Sequence, residues 1–372
     1  MFIPKLKIGV HEAEIPIIQG GMGVGISLHS LASAVANMGG IGIIAAAAVG
    51  FLEPDFDKHP QLANRRALKK EIALACQLAP GGIIGVNIMV AMTDYEDLVT
   101  AALEAGADII FSGAGLPLSL PKLKQNFPGS KTALVPIISS ARAATLLCKK
   151  WLHTYNYLPD AFVLEGPKAG GHLGFHLEDL IVKKYHLEQL LFEVIKAVTP
   201  YAQKAGKSIP IIVAGGVYTG EDIARFLMLG ASGVQMATRF VVTEECDASE
   251  EFKKEHLRAK KEDIVFIKSP VGLPGRAIRN KFLEAVERGE KVPFKCPYHC
   301  IKTCKPQKSP YCISLALINA QKGNLDEGFA FAGSNAFRSK KIVKVKELIE
   351  ELLEGLKHTR INIPPKGMIS SL

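Results

Sequence analysis

The residues best suited to chemistry in this chain lie in the segment 165–174, which reads E-G-P-K-A-G-G-H-L-G. The segment follows an apolar run at 161–164 and combines four glycines with His172. Glycines permit positive φ angles and let the backbone approach a ligand closely. A histidine on such a loop can bind a substrate or exchange protons near neutral pH. A solvated histidine in a tight turn is the alternative, so the surrounding elements have to decide between the two interpretations.

Four cysteines form a second candidate site. Cys296, Cys300, Cys304 and Cys312 have the spacing C-x3-C-x3-C-x7-C, and His299 lies among them. In a reducing compartment this spacing favours an iron–sulfur cluster or a structural Zn²⁺ over disulfides. Reduced thiols that share one helix face are the alternative interpretation.

Composition and charge narrow the class of protein. The chain has 372 residues, 48% of them hydrophobic, which suffices for one large domain or for a large and a smaller one. A net charge of +9 without an arginine-rich arm predicts a lysine-rich surface and no nucleic-acid partner, and leaves a weak preference for anionic substrates open. The first residues lack a signal-peptide pattern and no apolar run reaches 18 residues, so we expect a cytoplasmic location and no membrane partner.

Eight short apolar runs alternate with segments of helical periodicity along the first 240 residues. The runs are 15–19, 41–46, 83–90, 108–111, 133–138, 161–164, 209–214 and 233–236. Strands that alternate with helices pair in parallel through crossover connections. The pattern predicts an α/β fold, a TIM (β/α)₈ barrel, with an open doubly wound sheet as the alternative.

The character of the sequence changes after the eighth run. Charged segments of helical pattern at 250–261 and 276–288 precede the Cys-rich segment, and an apolar segment follows at 313–320. We interpret residues 241–324 as a smaller, mainly helical domain inserted after strand 8. Residues 1–240 and 325–372 would then form the barrel, whose outer ring is completed by an amphipathic helix at 343–356.

The predicted strand ends suggest what the barrel binds, because ligands of this fold lie where strands end. These ends are rich in small residues and in neutral polar side chains, which suits a planar heteroaromatic ring. The loops after strands 7 and 8 can hold a phosphate through backbone N–H groups and a hydroxyl; they contain Gly215, Gly216, Ala237 and Thr238. A planar ring with one phosphate indicates FMN.

Several motifs carry a family resemblance: 16–22 (PIIQGGM), 34–42 (AVANMGGIG), 85–87 (GVN), 165–174, 214–217 (AGGV) and 235–240 (QMATRF). With them, the chain resembles the nitronate monooxygenase (2-nitropropane dioxygenase-like) family of FMN-dependent barrels. That family also includes flavin-dependent enoyl-acyl-carrier-protein reductases. The resemblance implies that His172 is catalytic and that the cofactor is contacted by Gln19, Gly21, Met22, Asn87, Ser112, Gly113, Glu165, Gly171, Gly215, Gly216, Gln235, Ala237 and Thr238.

The resemblance also implies an activity on a small-molecule substrate. The first expectation is oxidation of an alkyl nitronate with O₂ to a carbonyl compound and nitrite. The alternative is NAD(P)H-dependent reduction of an enoyl thioester through FMN, for which an acidic acyl carrier protein would suit the positive charge. A non-catalytic flavin-binding module is a third interpretation, and a homodimer is left open. Pro167 and Lys168 depart from the family pattern, which has an acidic residue at the latter position.

Overall fold

Eight parallel strands form a closed barrel, in the spatial order 211–214, 233–236, 17–19, 41–45, 83–89, 109–113, 133–138 and 162–165. The structure is a computed structural model that describes residues 3–290 and 296–359. In chain order the strands are β1 (Leu6–Ile8), β2 (His11–Ala13), β3 (Ile17–Gln19), β4 (Ile41–Ala45), β5 (Ile83–Met89), β6 (Ile109–Gly113), β7 (Ala133–Ile138), β8 (Phe162–Glu165), β9 (Gly171–His172), β10 (Ile211–Ala214), β11 (Gly233–Met236), β12 (Ile264–Lys268) and β13 (Pro274–Ile278). Each of the eight apolar runs overlaps one barrel strand, so the predicted barrel is confirmed and the open sheet is not found.

The helices surround this barrel. They are α1 (His29–Asn37), α2 (Pro60–Leu78), α3 (Tyr95–Glu104), α4 (Leu120–Gln125), α5 (Ala141–Tyr155), α6 (Leu177–Ile181), α7 (Leu187–Ala205), α8 (Gly220–Met228), α9 (Thr238–Val241), α10 (Glu250–Arg258), α11 (Lys281–Glu287), α12 (Ile313–Gln321) and α13 (Val345–His358). The last helix packs against α8 and α1, as predicted for the element that completes the outer ring. None of the described helices is long and apolar enough to cross a membrane.

Burial on both faces explains the sequence of the barrel strands. All five residues of β4 are buried, one face against α1 and the other inside the barrel. Inside, Ile43, Phe111 and Val163 belong to one apolar cluster, which Leu6 and Ile8 of the β1–β2 hairpin join. The hairpin thus packs on the barrel interior, and the sequence pattern did not reveal it. Strands buried on both faces lose the usual apolar–polar alternation, which explains their continuous apolar runs.

The segment that follows the barrel strands is less helical than expected. The predicted helix at 276–288 is wrong in its first part, because residues 274–278 form β13 and only residues 281–287 form α11. Strand β13 pairs with β12 on one side and with β9 on the other, so this ribbon reaches back to the segment 165–174. Phe252 and Ile267 share an apolar cluster with barrel residues. Whether 241–324 is a separate domain stays a prediction, and residues 360–372 of the predicted barrel lie outside the described residues.

Candidate active site

A cavity of about 490 Å³ opens at the carboxyl end of the barrel, and all eight barrel strands or the loops after them contribute to its wall. We call it the flavin pocket, after the cofactor that the resemblance implies. Of the predicted cofactor contacts, the structure places eleven in its lining: Gly21, Met22, Asn87, Gly113, Glu165, Gly171, Gly215, Gly216, Gln235, Ala237 and Thr238. The predicted catalytic residue, His172, lines the same cavity.

The structure does not bring Gln19 and Ser112 to this lining. Gln19 is fully buried, and its side-chain oxygen accepts a hydrogen bond from the Ile43 backbone N–H at 2.9 Å. Ser112 is also fully buried, and its hydroxyl contacts the Tyr95 hydroxyl at 2.9 Å on the helix side of β6. Both side chains therefore hold barrel elements together.

Close backbone packing shapes the base of the flavin pocket. A Cβ atom at Gly21 would lie 2.4 Å from the Cβ of Asn87, so only glycine fits between β3 and β5 at this level. The side-chain oxygen of Gln235 is buried in the same wall without a hydrogen-bond partner. A buried acceptor without a partner is costly, and it indicates that a bound group supplies a donor.

The loops after β10 and β11 form one end of the pocket. Gly215 and Gly216 have φ angles of +92° and +94°, which side chains rarely adopt. Gly333 lies beside Thr238, whose hydroxyl accepts its backbone N–H at 3.2 Å. The stem of Lys168 lies against Gly216, so this departure from the family pattern lies at the predicted phosphate end. The N-terminus of α8 is closed by its own capping box between Thr219 and Asp222, so these groups are already paired.

His172 is held by the ribbon that follows the barrel. It pairs with Gly275 of β13, its Nε2 lies 2.7 Å from the Ser269 hydroxyl, and its ring lies edge-on to Phe331 at 4.9 Å. Burial among these groups lowers the pKa of His172 to about 4. The imidazole is therefore uncharged at neutral pH.

Glu165 and Arg276 form the interior of the loop that carries His172. Burial raises the pKa of Glu165 to about 8, although the Arg276 guanidinium opposes this effect. Burial also lowers the pKa of Arg276 to about 10. Arg276 donates hydrogen bonds to the backbone carbonyls of Pro167 and Ala169 and stacks on Phe266. This arginine fixes the loop, and the carboxyl group beside it keeps its proton at neutral pH.

The match to known proteins now decides the family. The family model described as nitronate monooxygenase matches residues 5–355. The chain belongs to the nitronate monooxygenase family. It is thus an oxidoreductase, as the resemblance implied.

Relatives of this family member carry different names. It is 30% identical to a (3aS,4S,5R,7aS)-5-hydroxy-7a-methyl-1-oxo-octahydro-1H-indene-4-carboxyl-CoA dehydrogenase of Mycobacterium tuberculosis, over 75% of this chain and 67% of that protein. It is 28% identical to a probable nitronate monooxygenase of Staphylococcus aureus, over 74% and 79%. The structure of FabK from Thermotoga maritima superposes with a TM-score of 0.70 and 28% identity, covering 93% and 94%. The chain spans about two thirds of the length of the first relative.

The flavin pocket of this family member fits FMN. The buried oxygen of Gln235 lacks a donor, Gly21 leaves no side chain where it packs against Asn87, and Gly215 and Gly216 line the other end of the pocket with positive φ angles. Gly21, Asn87 and Gln235 would hold the flavin ring, and Gly215 and Gly216 would hold the phosphate.

Four residues on the substrate side of the pocket were not predicted from the sequence: His256 and Phe331 line the pocket, and Ser269 and Arg276 hold His172 and its loop. Burial lowers the pKa of His256 to about 4, and its Nε2 is buried without a partner in the flavin-pocket lining. All four lie after β11, the last barrel strand, where no strand-end rule applies. The apolar segment 329–333, which contains Phe331, is a sequence signal near this side of the pocket.

The predicted metal site is not supported. Cys296, Cys300, Cys304 and Cys312 do line one cavity of about 200 Å³, together with His299. Within residues 3–290 and 296–359, however, no group of three or more His, Cys, Asp or Glu side chains is arranged to hold a metal ion. The cysteines are free thiols, and Cys300 accepts a hydrogen bond from the Ser314 hydroxyl at 3.0 Å. Cys296, Cys300 and Cys304 lie in irregular segments and Cys312 is the N-cap of α12, so the regular spacing in the sequence does not place the four thiols as a ligand set.

Proposed function

We propose that the protein is an FMN-dependent oxidoreductase that reduces an enoyl thioester at the expense of NAD(P)H. Bound FMN would supply the hydride-transfer chemistry for this reaction, in which the β-carbon of the thioester gains the hydride that NAD(P)H provides and the α-carbon gains a proton from solvent. Gly21, Met22, Asn87 and Gln235 would contact the ring, and Gly215, Gly216 and Thr238 the phosphate. The name of the M. tuberculosis relative, a carboxyl-CoA dehydrogenase, supports a thioester substrate.

The observation that carries this proposal is the lack of a positively charged side chain in the pocket lining next to His172, since Arg276 lies outside that lining and donates to the backbone carbonyls of Pro167 and Ala169. Among the described lining residues of the flavin pocket, Lys168 is the only lysine or arginine, and it lies at the phosphate end against Gly216. His172 and His256 both have pKa values lowered to about 4 and are neutral. An anionic nitronate buried here would lack a compensating charge, whereas a neutral thioester needs none.

The histidine would act as an oriented, neutral hydrogen-bonding group. In the tautomer in which the Ser269 hydroxyl donates to Nε2, the proton of His172 resides on Nδ1, which would then donate to a carbonyl oxygen. Phe331 and Leu273 add apolar wall around it, which keeps water away from the reacting carbons. The low pKa means that His172 positions the carbonyl and is not itself the acid that supplies a full proton.

Nitronate oxidation is the second candidate. The family model and the S. aureus relative, named a probable nitronate monooxygenase, favour it. In that reaction an uncharged His172 would hold a nitronate oxygen by a hydrogen bond, and O₂ would be the final oxidant. The pocket has space for this smaller substrate as well.

One pair of assays separates the two candidates. Protein loaded with FMN is mixed anaerobically with NADH or NADPH and then with crotonyl-CoA, while flavin absorbance is followed. The proposal expects bleaching by the nicotinamide and recovery of the yellow colour by the enoyl thioester. Oxygen uptake with propyl-2-nitronate that needs no nicotinamide, together with no response to crotonyl-CoA, would refute it in favour of the second candidate.

A further inference from the structure

A second cavity, of about 650 Å³, lies next to the flavin pocket. We call it the lysine cavity. The residues that matter for its chemistry are Lys268, Lys305, Lys308, Phe266, Leu283 and Tyr311. They come from β12, from α11 and from the end of the Cys-rich segment, so the segment after the barrel builds this cavity.

The charge of the lysine cavity favours an anion. Lys268, Lys305 and Lys308 are exposed at its edge, and none of the three takes part in an ion pair with a described residue. Glu287 is the one acidic residue in the described lining. Three lysines against one carboxylate attract a group with several negative charges, such as a diphosphate.

The walls of the lysine cavity favour a planar group next to that anion. Phe266, Leu283 and Val286 are apolar, and Thr303 and Ser309 add hydroxyls. Tyr311, which also lines the cavity, is 6% exposed, and its hydroxyl is buried without a hydrogen-bond partner. Tyr311 thus brings an unsatisfied hydrogen-bonding group to the residues that form this wall.

One turn separates the two cavities. Residues Ser269, Pro270 and Gly272 line the lysine cavity, while Leu273 lines the flavin pocket. The hydroxyl of Ser269 contacts His172, and the Thr303 hydroxyl donates to the backbone carbonyl of Val271 at 3.2 Å. A molecule bound in the lysine cavity therefore lies directly behind the residue that positions His172.

We propose that the lysine cavity binds the adenosine-diphosphate part of a coenzyme A thioester whose acyl end reaches the flavin pocket. The lysines would hold the phosphates, and the apolar walls would hold the adenine. NADH and NADPH contain the same adenosine diphosphate, so the test must distinguish the two sources. This inference rests on the proposed thioester chemistry for its substrate, but the binding of the nucleotide can be measured without turnover.

The binding test uses the FMN-loaded protein and titration calorimetry with adenosine 3′,5′-bisphosphate, 5′-ADP, coenzyme A and NADPH. The cavity variant combines Lys268→Ala, Lys305→Ala and Lys308→Ala. A matched control with the same net charge combines three exposed lysines of α5 and α7, Lys149→Ala, Lys150→Ala and Lys196→Ala. We expect the wild type and the control to bind the nucleotides alike, and the cavity variant to bind them at least about tenfold more weakly, with a reduced dependence on salt.

A kinetic test then connects the cavity to the substrate. The ratio of kcat/KM for crotonyl-CoA to that for crotonyl-pantetheine, which lacks the nucleotide, should fall at least about tenfold in the cavity variant and stay constant in the control. Equal nucleotide affinity in the wild type and the cavity variant, or no binding of any adenine nucleotide, overturns the inference. Lysine-dependent binding without thioester turnover upholds the site and refutes the proposed function. Lysine-dependent binding of NADPH but not of coenzyme A upholds the adenosine-diphosphate site and assigns it to the nicotinamide nucleotide.

Discussion

Replacement of Glu165 by glutamine tests the electrostatics of the loop that carries His172. Burial raises the pKa of Glu165 from 4.5 to about 8, so the folded protein keeps a proton that the unfolded chain has already lost at pH 6. Stability is therefore highest below pH 4.5 and is lost as the pH rises towards 8. About two pH units separate pH 6 from the folded pKa, and each is worth about 1.36 kcal/mol. The wild type should thus lose about 3 kcal/mol more than Glu165→Gln between pH 6 and pH 9.

The figure of about 3 kcal/mol is an upper limit. Glu165 lines the flavin pocket and is only partly buried, so solvent in the pocket stabilises its ionised form and reduces the pKa shift. The assay is urea unfolding of FMN-free protein at pH 6, 7, 8 and 9. The single tryptophan, Trp151, is fully buried on α5 and reports unfolding by its fluorescence. Glu350→Gln, on the exposed face of α13, is the control and should follow the wild type. Parallel pH dependences for the wild type and Glu165→Gln would show that Glu165 is ionised in the folded protein and would refute the reasoning.

Three further substitutions test individual parts of the site. His172→Ala should retain FMN but lower turnover at least about tenfold, since the oriented hydrogen-bonding group is lost; unchanged turnover would remove its catalytic role. Gly21→Ala should abolish FMN binding, measured by flavin fluorescence on dialysis, because the new Cβ would lie 2.4 Å from that of Asn87; Gly129→Ala, in open space, is the control and should bind normally. Arg276→Met should increase proteolytic cleavage within 165–174, because two backbone carbonyls lose their donor, and uncleaved variant loops would contradict this role.

The sequence was sufficient for the barrel because each strand is encoded locally. A run such as 41–46 is apolar throughout, and glycine or helical periodicity follows it, so both the type and the order of elements could be predicted. The ribbon of β12 and β13 was missed for the opposite reason. Its third strand, β9, lies about one hundred residues earlier in the chain, and no local pattern shows this pairing.

The candidate site was predicted from the residues at strand ends. Gln19 and Ser112, which the structure places outside the flavin-pocket lining, show the limit of predicting contacts from strand ends alone. Side chains alternate between the two faces of a strand. In β6, Ile109 and Phe111 point into the barrel cluster, so Ser112 must point towards the helices and Gly113 towards the pocket. Because Ile110 is as apolar as its neighbours, the alternation is hidden in the sequence of a strand that is buried on both faces.

The flavin side and the substrate side of the site are built by different parts of the chain. This difference affects how substrates can diverge within the family. The predicted flavin contacts lie on barrel strands and the loops directly after them. The segment after β11, the last barrel strand, contributes Phe252, His256, Ser269, Leu273 and Leu317. The same segment contributes the lysine cavity and, through Arg276, fixes the loop of His172. Changes in this one segment can therefore alter the substrate space without touching the flavin contacts. This division of the site allows relatives to act on different substrates while they keep the flavin contacts. The relatives named a carboxyl-CoA dehydrogenase and a probable nitronate monooxygenase are consistent with it.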